Sequence, residues 1–168
     1  MPWLDSARYR WRQFRSAVDA RLTPEDRRWV DARLPAPERE LFYRMPRFDQ
    51  THCVLVARDV EQAGGDDLVV RASLLHDCGK TLPPHCVPLL WRGLVVVLTR
   101  LAPHLLSSLA KPRGPLWPFY LHTHHPRLGA RELERRGSPP DLVALVEYHQ
   151  VSSDDPRLRR LQLADGAN

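Results

Sequence analysis

Sixteen prolines in 168 residues set the first limit on what this chain can fold into. A proline ring fixes φ near −65° and removes the backbone donor, so it starts a helix readily but breaks a helix or a sheet ladder from inside. The share is nearly double the usual ~5%. Such punctuation predicts short helices joined by stiff turns, not long strands or a coiled coil. With 43% hydrophobic residues, a chain of this length can bury roughly two-thirds of its unfolded surface around a single core.

Local signals place the helices. An amphipathic stretch spans 6–22. Thr23 then supplies an N-cap with Pro24 at the first position and Glu25 and Asp26 behind it. Another helix begins near Pro37 and carries Leu41, Phe42 and Met45 on its apolar face. A longer one covers 48–63 and is closed by Gly64 and Gly65. Asp66 and Asp67 start the next, with Leu68, Val69, Ala72 and Leu75 inward, and it ends in His76-Asp77-Cys78-Gly79-Lys80. Residues 87–109 predict one apolar helix or a proline-kinked pair. A helix after Pro126 is signalled by Leu128, Ala130 and Leu133 and stops at Gly137. Another runs from Pro140 to about His149, and a last one follows Asp154 through Leu158, Leu161 and Leu163. No internal repeat and no β-alternating run stands out. The expected fold is all-α, a single-domain helical bundle. Residues 1–44 form a helical extension packed on the core of 45–168, and the apolar insertion falls at about 87–109.

The formal charge of +5 comes from 23 arginines and only two lysines, Lys80 and Lys111. That balance suits an anionic substrate or surface. The absence of an aromatic-basic RNA motif or a zinc finger argues against a nucleic-acid role. Cys53, Cys78 and Cys86 form no CxxC pair, and no positive leader precedes an apolar core and cleavage site, so a reduced, cytoplasmic setting is expected. The 87–109 stretch is long enough to cross a bilayer but contains Arg92, Arg100, Pro103 and His104, which argues against a span.

A lone histidine on a helix usually packs or faces solvent; here the arrangement matters. His52 falls in mid-helix, His76-Asp77 at a helix end, His122, His124 and His125 in a cluster, and His149 and Asp165 later on. Imidazoles and carboxylates together suit divalent Mn, Fe, Co, Ni or Zn. Neighbours on a helix point about 100° apart, so a His-Asp pair shares one site only where other helices converge on it. Cys53 and Cys78 adjoin these residues, but thiolates suit a structural zinc cage better than this mixed set, and both are expected to pack. Lys80, in a chain that otherwise uses arginine, suggests a need for a compact point charge. His85 and His104 fit no pattern.

The order of these residues resembles the HD-domain phosphohydrolases. That family's signature is an isolated histidine, then a His-Asp doublet, then a distant aspartate, all on helices. Here the first is in Asp49-Gln50-Thr51-His52, the doublet in Leu74-Leu75-His76-Asp77-Cys78-Gly79-Lys80, and the closing acid in Leu161-Gln162-Leu163-Ala164-Asp165. The resemblance covers about 49–165 and implies a metal held by His52, His76, Asp77 and Asp165. Two-metal members add a His-Pro-x-x-Gly-Ala segment, matched by His125-Pro126-Arg127-Leu128-Gly129-Ala130. This implies a second metal on His125 and His149, with Asp77 bridging. His122 and His124 stand as alternatives to His125, because a proline at a helix start leaves its predecessors loosely placed. The chain departs from the cyclic-dinucleotide branch: Gln150 stands where that branch has a second histidine, and no Gly-Tyr-Pro follows. The 87–109 segment is an added element, open to service as core, lid, dimer face or membrane-surface patch.

The resemblance implies hydrolysis of a phosphate ester of a nucleotide or related small phosphorylated molecule. One or two divalent ions (Mn, Fe, Co, Ni, Zn or Mg) would generate the hydroxide nucleophile. Asp77 would orient it, and Lys80 would hold the phosphate, helped by Arg127 or Arg131. Gly79 would allow a tight turn after the ligands. The alternative within the same family is a catalytically weak metal-binding sensory or scaffold module.

Overall fold

The computed structural model describes residues 21–82, 85–87, 91, 94, 95, 98, 101, 104, 109, 111, 114 and 116–168. Except for its last two positions, the helix expected over 6–22 lies outside the described residues. The described elements are α1 (Pro24–Arg33), α2 (Ala36–Arg44), α3 (Arg47–Gln62), α4 (Asp67–Leu75), a 3₁₀ turn (Cys78–Lys80), β1 (Thr81–Leu82), β2 (His85–Cys86), α5 (Trp117–Arg135), α6 (Pro140–Tyr148) and α7 (Pro156–Ala167). The protein is all-α; β1 and β2 are an antiparallel pair too short to alter that class, although no strand was expected.

Every described α-helix except α4 has a proline at its N-cap or first two positions. There the missing N–H would have had no intrahelical acceptor. Side chains close other ends. Thr23 Oγ1 accepts from the Asp26 amide while the Asp26 carboxylate accepts from the Thr23 amide, a reciprocal capping box. Asp66 caps α4 by accepting from the Val69 amide. The one proline inside a described helix is Pro126. This corrects the expectation that Pro126 opens a helix: α5 begins at Trp117 and runs through it.

The core follows from helical spacing. Cys53, Val56, Ala57 and Val60 recur on one face of α3, and all are buried. They join Val69 and Leu75 of α4, Leu142 and Val146 of α6, and Leu161 of α7 in one cluster that also takes in Val30 and Phe42 of α1 and α2. Each such large side chain contributes about 1.5–3 kcal/mol by leaving water. Short α4 sits centrally, packed on α3, α6 and α7, while α5 packs on α6 and on the 3₁₀ turn. One buried ion pair fixes α2 to α4: Arg71 donates to both oxygens of Glu38, at 3.2 and 2.7 Å, and Ser138 Oγ donates to the same carboxylate at 2.9 Å.

Within 87–109, the described positions 91, 94, 95, 98, 101, 104 and 109 are helical. Val95 is buried beside Phe119, and Trp91 meets the Phe119 ring edge-on at 5.1 Å; Leu94 and Leu101 are exposed. Among the described residues no helix is long and apolar enough to cross a membrane.

Candidate metal centre

The His-Asp doublet falls where α4 stops. His76 caps α4 at φ −57° and ψ −30°, and Asp77, at φ −96° and ψ 0°, leads into the tighter 3₁₀ turn. This change of winding, together with helices closing in from both sides, lets two adjacent side chains face one point. Asp77 Oδ1 lies 3.6 Å from His76 Nε2 and 3.4 Å from His125 Nε2. Asp165 Oδ1 lies 3.0 Å from His52 Nε2 and 3.4 Å from His76 Nε2. His125 Nε2 and His149 Nε2 are 3.3 Å apart. Three groups result, His52 with His76 and Asp165, Asp77 with His125 and His149, and Cys53 with His76 and Asp77; within each, the candidate ligand atoms lie within 4.8 Å of one another. The structure thus gathers α3, the ends of α4 and α6, the middle of α5, and α7 around Asp77.

Backbone carbonyls set the orientation of three of these rings. His76 Nδ1 donates to Ser73 O at 2.8 Å, His149 Nδ1 to Val146 O at 2.7 Å, and His125 Nδ1 to His122 O at 2.6 Å. With Nδ1–H so engaged, the Nε2 of a neutral ring is a bare lone pair. The lone pairs of neutral His125 and His149 face one another, and Asp77 Oδ1 lies beside the first, while His76 Nε2 faces the Asp77 and Asp165 carboxylates. His76 Nε2 is buried and makes no hydrogen bond. The two bare Nε2 atoms of His125 and His149 at 3.3 Å, with Asp77 Oδ1 3.4 Å from the first, repel by themselves and become favourable around a cation. The donor set and the bare Nε2 atoms therefore fit a divalent metal.

Charge states follow the same geometry. Burial, then the Lys80 ammonium, hold the His125 imidazole well below its usual range. Burial, then His76, bring His149 down to about 4. Burial also disfavours charge on His76, but Asp77 and Asp165 outweigh it and keep that imidazole well above its usual range. Burial works against the Asp77 carboxylate too, yet Lys80, His76 and His125 hold it well below the ordinary value.

Lys80 is folded into the centre, with Nζ 2.6 Å from Asp77 Oδ2. Gly79 has a different purpose from the tight turn expected of it. Its φ is not positive, but a Cβ there would lie 2.0 Å from His125 O and 2.6 Å from Gly129 N. Gly79 and Gly129 are bare because the turn and α5 touch backbone to backbone, which brings His125 to Asp77.

Other expected positions lie outside this cluster. His124 stacks on Tyr120 with centroids 4.3 Å apart and its Nδ1 donates to Tyr120 O. The His122 ring sits 5.9 Å from that of His125. Of the three, only His125 is brought to Asp77; α5 runs unbroken from Trp117 through all of them, which removes the looseness expected before Pro126. Arg127 is exposed and faces Glu147 at 3.8 Å, and Arg131 is exposed, so neither joins Lys80. Cys53 and Cys78 are buried packing residues, and burial pushes both thiols up. The sequence reading missed the opening of the centre. A cavity of about 410 Å³ is lined by His149, Gln150, Ser152, Gln162, Asp165 and Gly166. Gln150, adjacent to His149 and 3.5 Å from His125 Nε2, was the available signal.

A helical bundle that carries histidines and aspartates from separate helices to one place defines an all-α module with a candidate divalent-metal site. The HD domain family model matches residues 50–167, and the chain belongs to that family, whose members are in general metal-dependent phosphohydrolases. No curated protein and no solved structure matches the chain.

Proposed function

We propose that this protein hydrolyses a phosphate ester of a nucleotide or related small phosphorylated molecule. His52, His76, Asp77 and Asp165 would hold one divalent ion, and Asp77, His125 and His149 a second. The observation that carries the reading is the pair of bare Nε2 atoms of His125 and His149, 3.3 Å apart with Asp77 Oδ1 3.4 Å from the first, beside His52 and His76 on Asp165 Oδ1 at 3.0 and 3.4 Å. Bound divalent metal supplies Lewis acidity and a nucleophile at neutral pH. The chain's own residues do the rest. Asp77 presents Oδ1 to both histidine groups and keeps Oδ2 on Lys80. Lys80 supplies the compact positive charge for a phosphoryl oxygen. His52 and Asp165, partly exposed, form the solvent side of the centre. Gln150, Ser152 and Gln162 offer neutral hydrogen-bonding groups to the organic part of the ester.

The test is metal analysis of the purified chain, coupled to phosphate release from nucleotides, cyclic dinucleotides and small phosphate esters with added Mn²⁺. Metal-dependent release that a chelator abolishes supports the reading. Metal bound tightly with no release from any ester class would favour the sensory or scaffold alternative.

A further inference from the structure

Prolines in this protein open helices, and Pro126 is the exception among the described residues, buried in the middle of α5 directly after His125. An interior proline is unfavourable in a helix for two reasons: it donates no hydrogen bond to the carbonyl four residues back, and its ring pushes that carbonyl aside. For Pro126 that carbonyl belongs to His122. It accepts instead from His125 Nδ1 at 2.6 Å. The other two rings find their acceptors differently, because Ser73 O and Val146 O lie in the last turns of α4 and α6, where carbonyls lack an intrahelical donor anyway. His125 is in mid-helix and has no such helix end. The geometry points to Pro126 as a positioning residue: it withholds the amide that would otherwise donate to His122 O, so that this carbonyl accepts from the His125 imidazole, which locks the tautomer that turns Nε2 toward Asp77 and His149.

This inference rests on the metal-centre reading for its purpose, but not for its structural content. An alanine at 126 would restore an amide aimed at His122 O. The His125 ring would then share its acceptor with that amide and sample both tautomers. Outer partners that fix a ligating histidine typically account for about 10- to 100-fold in metal affinity. The helix itself should gain, since proline is the least favourable residue in a helix interior.

Three full-length chains separate the outcomes: wild type, Pro126→Ala, and Pro118→Ala as a control at the start of the same helix. Long-range ¹H–¹⁵N spectra of the metal-free wild type should show His125 protonated at Nδ1 alone, and Pro126→Ala should show a tautomer mixture. Zinc titration should show the weaker of two binding events lowered about 10- to 100-fold in Pro126→Ala and unchanged in Pro118→Ala. The melting temperature of metal-free Pro126→Ala should hold or rise. A wild-type His125 protonated at Nε2, or equal zinc affinities in all three chains, overturns the inference. So does a Pro126→Ala chain that fails to fold, since the helix is expected to gain. If wild type takes up no zinc, the metal-centre reading fails, and the tautomer spectra alone judge the role of Pro126.

Discussion

Lys80 Nζ lies 2.6 Å from Asp77 Oδ2, while Oδ1 of the same carboxylate faces His76 and His125. One carboxylate thus serves three directions, and the residue three places along the chain neutralises the oxygen that the histidines leave. The 3₁₀ turn makes this pairing possible, since its three-residue repeat brings positions 77 and 80 onto one side.

Lys80→Ala should therefore separate charge supply from metal holding. Metal content should stay within error of wild type, because no proposed ligand is lost, while turnover falls about 10²- to 10³-fold, the usual cost of removing one preorganised donor to a developing negative charge. Metal analysis beside phosphate release checks this; a large loss of bound metal would mean that Lys80 acts by holding Asp77 in place.

Asp77→Asn preserves shape and removes the negative charge between the two histidine groups. Phosphate release at saturating Mn²⁺ should fall at least roughly a thousandfold, or about 4 kcal/mol of barrier, with the helical circular dichroism spectrum unchanged. Equal rates for the two chains would assign the activity to some other group.

The metal-free protein should be most stable near pH 6.5. His149, at about 4 when folded against 6.5 for the ordinary imidazole, binds its proton more readily in the unfolded chain. Its stabilisation is present above about 6.5 and is lost as pH falls toward 4, by up to about 3 kcal/mol. His76 has the opposite sign: its folded value is raised, so its stabilisation is present below 6.5 and is lost as pH rises through that raised value. Melting curves in chelator from pH 4 to 9 test both limbs, and a flat profile between pH 6.5 and 5 would refute the His149 assignment. Protons and metal compete for His76 Nε2, so calorimetry in buffers of different ionisation enthalpy should show proton release on metal binding at pH 7.

Gly79→Ala places a methyl against the His125 carbonyl and the Gly129 amide. Backbone on the far side cannot swing away as a flexible side chain can, so α5 must retreat from the turn. Overpacking of this kind costs about 1–3 kcal/mol or more, a drop in melting temperature of roughly 5 °C or greater, with loss of metal at His125 and His149. Thermal denaturation and metal analysis measure the two effects; a melting temperature equal to wild type would show that the close approach is not required.

Much of this was legible along the chain because it is local. Thr23 with Asp26, Asp66 before α4, Gly64 after α3 and the prolines at helix starts act within a few residues of themselves, so helix positions could be read from them. The candidate site residues could be named because their chemistry and order are properties of sequence. Pro126 misled for the same reason: taken locally, a proline marks a helix start, and what keeps α5 continuous through it is the burial of Phe119, Leu121, His125, Gly129 and Leu133 on either side.

The sequence by itself determined that the chain is helical, where most of its helices begin, and which histidines and aspartates are chemically suited to a metal. Tertiary structure alone decided that His125 rather than His122 or His124 reaches Asp77, that Gly79 is bare to admit α5, that Arg127 and Arg131 face outward, and that Gln150 lies at the mouth. Those outcomes depend on distances between segments far apart in the chain. A helix specifies the spacing of its own side chains, but only the packing of one helix against another specifies which of them meet.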